Sequence, residues 1–413
     1  MSFETIKLAP ELKSGAWRVV ALLCLAGCLN YLDRTMLTTM RSSVIEQYPM
    51  TDAQFGLLTS VFLWVYGILS PFAGFLADHF KRSRVIIVSL FAWSAVTWVT
   101  GFATTYQELL ATRVLLGVTE ACYIPAAMAL IVDYHKGSTL PLATSLHVAG
   151  FSLGQSLAFL GGWIAEQYKV NTSFLVFGAI GMAYAVLLSF FLRDVSKVSQ
   201  KSKITSAIHF SDAVKSLLSH RSYLFLLALW ALLYVIGWIV IGWTPTFFKE
   251  QFNLTQTLAG FYATGYLYPC AILGVISGGF LTSRWARINA HAQIFVPVIG
   301  LCIAAPAIFF ASNSSVLPIT VALFMLYAFT RAFSDANIMP ILVLTTQPRY
   351  RATGFGILNF FACVLGGAGL YAGGILRDMH VELGYIFRFA SILMILCIVL
   401  LFQIRKHPYP EAS

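Results

Sequence analysis

Long apolar runs, each about 20 residues and set off by short polar breaks, recur twelve times along this chain. Runs of that length match the roughly 30 Å hydrocarbon layer of a bilayer. In lipid every backbone N–H and C=O needs an internal partner, so runs this long and continuous must be helices. They fall near 17–40, 52–77, 84–103, 106–133, 139–166, 172–193, 222–248, 256–283, 291–312, 316–346, 352–376 and 383–404. Composition agrees: 58% of the 413 residues are hydrophobic and only 11% are charged. A soluble domain carries about 25% charged residues. The expected fold is an all-α membrane protein of twelve transmembrane helices.

The net charge of +10 first suggests a phosphate-backbone partner. Its distribution argues against nucleic acid. With an even number of spans, both termini share one side, and nineteen Lys and Arg side chains fall there against four opposite. The four are Arg41, Lys169, Lys249 and Arg377. By the positive-inside rule both termini are cytoplasmic. The seven cysteines lie in apolar segments without metal-ligand or CxxC spacing and read as small buried hydrophobes. Residues 1–17 are polar and lack a signal-peptide pattern, so the first run is expected to stay as a helix.

The stretch 194–221 is polar and rich in Ser and Lys, and it divides the chain into a six-helix half at 1–193 and another at 222–413. Weak repeats support duplication. Gly74-Phe75-Leu76 pairs with Gly279-Phe280-Leu281, and Gly161-Gly162 pairs with Gly373-Gly374. Two pseudo-symmetric halves are expected.

Ionisable side chains inside spans cost several kcal/mol, roughly, and so invite a functional reading. Span one carries Asp33 and Arg34, span four Arg113 and Glu120, and span ten Arg331 and Asp335. Arg388 sits near the end of span twelve, where it can snorkel. Adjacent residues point about 100° apart on a helix, so Asp33 and Arg34 face different neighbours. Arg113 and Glu120 are nearly two turns apart and share a face. Together the four carry no net charge, and one can exchange an internal partner for a proton or an anion. That is the chemistry a proton-coupled anion carrier needs; a static salt-bridge network is the bland alternative. Arg331 and Asp335 have the spacing of a local ion pair. Glu120 and Asp335 each stand five residues before a proline, Pro125 and Pro340. His147, Gln155, Tyr31, Tyr66 and Asn359 complete the polar set, and Gly150 and Gly154 beside His147 suit close helix packing.

These residues resemble the major facilitator superfamily over essentially the whole chain. The run Gly74-Phe75-Leu76-Ala77-Asp78-His79-Phe80-Lys81-Arg82-Ser83-Arg84 is similar to its gating loop, with Gly74, Asp78 and Arg82 kept and departures at His79 and Phe80. Tyr31-x-Asp33-Arg34 with Arg113 and Glu120 resembles two branches, the anion:cation symporters of sugar acids and the lysolipid-moving Spinster-like proteins. Tyr66 in Trp64-Val65-Tyr66, and Arg351-Ala352-Thr353-Gly354 followed by Asn359 and Gly366-Gly367, resemble the first branch.

That resemblance implies Asp33 and Glu120 as proton carriers and Arg34 as the partner of a substrate carboxylate. Arg113 would tune the acids, while Tyr31, Tyr66 and Asn359 would bind hydroxyls. Phe151 and the Arg331–Asp335 pair depart from the branch, which favours a larger acidic sugar such as a sialic acid over a hexuronate or aldonate. The expectation is alternating-access import of an organic anion with protons, across a bacterial inner membrane, by a monomer needing no cofactor or metal. Spinster-like lysolipid transport is the alternative. A membrane-embedded enzyme is disfavoured, since no HExxH zinc motif appears, and a sensor would need a signalling domain.

Overall fold

A computed structural model describes residues 15–135, 139–194, 210–289, 291–347 and 350–406, with the side chains of 71, 74–79, 141, 210–213, 352 and 406 outside the description. Twelve of the described helices are long and apolar enough to cross a membrane. In chain order these spans are Ala16–Thr39, Asp52–Ser70, Arg82–Thr100, Tyr106–Tyr134, Leu142–Gln167, Val170–Phe191, Arg221–Phe252, Gln256–Trp285, Ala292–Asn313, Leu317–Thr345, Thr353–Asp378 and Leu383–Arg405. The expected all-α architecture is the observed one. Short helices cover Arg41–Gln47, after span one, and Phe210–Ser219, inside the stretch read as a polar linker.

Local chemistry explains where the spans start and bend. Span four opens on a capping box, in which Glu108 N donates to Thr105 Oγ1 at 3.3 Å and Thr105 N donates to Glu108 Oε2 at 3.3 Å. Its helix stops at Glu120 and resumes at Tyr123. Pro125 has no N–H for the carbonyl of Ala121, four residues back, and its ring crowds that carbonyl. Span eight carries one π-helical turn, Phe261–Gly265, between Gln256–Gly260 and Leu267–Trp285. Span five breaks opposite it at Ala158, and there Thr264 Oγ1 donates to Ser156 O at 3.3 Å.

Packing is tightest along seams of small residues. A Cβ at Gly154 would collide with the Cys28 carbonyl, and one at Gly374 with the carbonyl of Asp52. Only glycine lets span five approach span one, and span eleven approach span two, this closely. The most extensive contacts between the first six and the last six spans are span two on eleven, five on eight, and one on seven. Advancing each number by six exchanges the first two of these pairs and returns the third to itself.

Candidate functional site

Span one delivers Asn30, Asp33 and Arg34 to the middle of the bundle, all buried. Arg34 Nε donates to Glu120 Oε2 at 2.7 Å, and both side chains are buried. The guanidinium lies 4.8 Å from the Tyr31 ring centre, 4.9 Å from Phe62 and 4.4 Å from Tyr66. A planar, delocalised cation suits such faces, and a desolvated contact of this kind contributes about 2 kcal/mol. Tyr31 is itself stacked on Phe151 at 4.6 Å, which gives that apolar residue of span five a place in the site wall.

Asp33 turns away from Arg34, as adjacent helical positions must. It accepts a hydrogen bond from Thr97 Oγ1 of span three at 3.4 Å. Arg113 shares the Glu120 face of span four and lies 5.2 Å from the Phe174 ring centre. It stands within electrostatic reach of both Asp33 and Glu120, while the ion pair itself belongs to Arg34. One cation thus holds Glu120 directly and a second faces both acids at longer range. Between the two sets of six spans lies a cavity of about 10 Å³, room for roughly one water. Arg34, Phe62 and Arg113 line it from one side, Trp238 and Leu370 from the other.

The pair on span ten closes locally, with Arg331 Nη1 donating to Asp335 Oδ2 at 2.8 Å. Arg331 Nη2 also donates to Leu233 O of span seven at 3.0 Å, so the arginine ties two helices together. Tyr234, beside that carbonyl, lies within electrostatic reach of Asp335 on one side and of Tyr31 and Tyr66 on the other. Of the remaining candidates, Asn359 Nδ2 donates to Ser70 Oγ at 3.5 Å across spans eleven and two. Gln155 is buried on span five just before its break. His147 does not reach the cavity. It is fully buried, its Nδ1 lies 3.1 Å from Leu23 O, and Tyr123 and Phe151 flank its ring.

Of the gating run, Arg82 forms an ion pair with Asp133 and donates to Ala129 O at 2.8 Å, joining span three to span four. The packing around Gly74 and the side chain of Asp78 lie outside the description. The string Gly150-Phe151-Ser152-Leu153-Gly154 spells G-x-S-x-G, yet an uninterrupted helix, Leu140–Leu157, carries it. A nucleophile elbow needs a strand–turn–helix; here the two glycines seat span five on Cys24 and Cys28.

On the side opposite the termini, charges close the gap between the two sets of spans. Asp52 pairs with Arg41 and with Arg377, whose Nε lies 3.3 Å from Asp52 Oδ2. Arg377 grips Glu250 with both terminal nitrogens at 2.8 and 2.7 Å. Asp378 accepts from the backbone N–H of Asp52 at 2.8 Å and of Ala53 at 3.0 Å. Glu166 does the same for Gln256 and Thr257 at the start of span eight, at 3.1 and 2.8 Å. Sequence reasoning missed this network, because its members sit at loop edges where charge is ordinary. It also missed Phe62, whose one available signal is its position one turn before Tyr66.

A twelve-span bundle with buried, mutually neutralised charges at its centre is an arrangement that suits a membrane transporter. The chain belongs to the Major Facilitator Superfamily, whose family profile matches residues 23–370. It is 26% identical over 389 residues to the sphingosine-1-phosphate transporter SPNS2 of Mus musculus, covering 87% of this chain and 69% of that one. It is also 26% identical over 371 residues to the probable sulfoacetate transporter SauU of Cupriavidus necator, covering 83% and 82%. Among solved structures, a bacterial homologue of the human lysosomal transporter Spinster, inward-facing and occupied, superposes with a TM-score of 0.79. That match covers 98% of this chain and 99% of the other at 20% identity, a likeness of fold.

Proposed function

We propose that this protein is a proton-coupled, Spinster-like carrier that moves an anionic amphiphile, a lysolipid with a phosphate head, by alternating access. The observation that carries the reading is the buried Arg34–Glu120 ion pair within the ring faces of Tyr31, Phe62 and Tyr66. Protonation of Glu120 removes the charge that holds Arg34. The guanidinium fork is then free for a phosphate or carboxylate, which it binds in two-toothed fashion. Asp33 supplies a second proton site, and Arg113 balances whichever acid is charged. The surrounding Phe62, Leu58, Trp238 and Leu370 suit an acyl chain.

The acidic-sugar expectation yields to the lysolipid alternative for two reasons. The faces of Tyr31, Phe62 and Tyr66 make an aromatic wall around Arg34 and Asn359 is bonded to Ser70, a lining that suits an apolar chain better than several sugar hydroxyls. Relatedness to the sphingosine-1-phosphate transporter supports the same choice. A small organic acid is the second reading, favoured by the kinship to the sulfoacetate transporter. The Lys and Arg bias supports cytoplasmic termini, and a bacterial inner membrane is the setting we adopt.

Proteoliposomes with and without a pH gradient test the assignment against a fluorescent lysophospholipid, sulfoacetate and sialic acid. Gradient-stimulated movement of the lysophospholipid is expected; sialic acid uptake with an inert lysolipid overturns the reading. In Glu120→Gln, gradient-driven accumulation should fall on the order of 100-fold while counterflow exchange survives. If both persist at the native rate, Glu120 is structural.

A further inference from the structure

Asn30 is completely buried, and neither of its side-chain polar atoms meets a protein hydrogen-bond partner. An unpaired amide is costly in a low-dielectric interior, so such groups are held there for a reason. Its position supplies one. Asn30 lies one turn before Asp33 and Arg34 on span one, and its amide faces the Glu120 carboxylate without closing a direct hydrogen bond. Glu120 Oε1 and Arg34 Nη2 are likewise buried and unpaired. On the far flank of Asp33, the indole N–H of Trp93 on span three is buried without a partner while facing that acid. Unpaired polar atoms therefore lie beside both acids, and on span one Asn30 projects, one turn back, in a direction between Asp33 and the Arg34 that holds Glu120.

We propose that Asn30 is a positioning residue that seats a water between Asp33 and Glu120, through which a proton passes from one acid to the other. The inference rests on the proton-coupled reading above. In the step, the O–H bond of protonated Asp33 breaks and its proton joins the water. The water gives one of its own protons to Glu120 Oε1, leaving Asp33 as the carboxylate and Glu120 neutral. Arg34 then loses its ionic partner, while Arg113, in reach of both acids, stabilises the new charge on Asp33. The other ionisable neighbours are Tyr31 and Tyr66, whose ring faces lie on Arg34.

The test uses purified full-length protein and requires no substrate. A pH jump is followed by infrared difference spectroscopy of the protonated-carboxyl band, assigned to Glu120 by its loss in Glu120→Gln. Asn30→Leu, of similar size and unable to hold water, should slow the appearance of that band by about tenfold. Asn30→Ser, which keeps a hydroxyl for the water, should restore most of the rate. Native rates in Asn30→Leu overturn the relay, and so does equal slowing in both variants, which is the signature of disturbed packing. Wild-type protein that shows the band but no gradient-driven transport of any tested compound fails the functional assignment instead, so the two failures are distinguishable.

Discussion

Arg34→Leu is expected to lose on the order of 3–5 kcal/mol of stability, because it strands the Glu120 carboxylate in the centre of the bundle. The leucine also gives up the three aromatic contacts of the guanidinium. Glu120→Gln added to Arg34→Leu should recover a large part of that loss, since no buried charge is then left alone. Transport should stay absent in the double variant, which has neither the cation proposed to bind the anion nor the acid proposed to titrate. Thermal melting of the detergent-solubilised proteins reads the first effect, and the proteoliposome assay reads the second. A double variant no more stable than Arg34→Leu would show that the pair is not the unit that holds spans one and four.

Opening of the side opposite the termini is the second expected large effect. Asp52 serves two arginines at once, and Arg377 serves two acids, so one substitution unpairs several charges. An isolated pair of this exposure contributes about 0–1 kcal/mol, while a network contributes more. Asp52→Asn combined with Arg377→Gln should shift the balance of states by roughly 1–3 kcal/mol, equal to a factor of about 5–150 in population. A cysteine introduced at Thr38, buried beneath this closure, gives the readout in a background free of the native cysteines. Its reaction with a polar maleimide should accelerate by the same factor. Unchanged labelling would mean that the glycine seam at Gly374, rather than the charges, keeps this side shut.

The twelve spans were readable because lipid leaves the backbone no alternative to helix and because their apolar runs are long. Asp33, Arg34, Arg113 and Glu120 were readable for the complementary reason, that buried charge is rare enough to be noticed singly. What escaped was pairing. Sequence spacing placed Arg113 with Glu120 on one face, and both do lie there, yet the ion pair formed with Arg34 of another helix. His147 looked like a cavity residue because it is polar, but a single backbone carbonyl within reach fixes it inside the bundle. Asn30 was overlooked altogether. An amide raises no alarm in a hydropathy profile, and its lack of partners is visible only once neighbours are known.

The four central charges balance to zero, and this has a consequence for what can drive the carrier. On the proton-coupled reading proposed above, loading one proton makes the site cationic, and loading one monovalent anion returns it to neutrality. The loaded site then crosses the membrane field carrying no net charge. A membrane potential does about 2.3 kcal/mol of work per 100 mV on each elementary charge moved across, and here it finds none to act on. With such a one-to-one stoichiometry, the pH gradient and the substrate gradient together set the direction of transport, and a change in voltage alone would not reverse the flow.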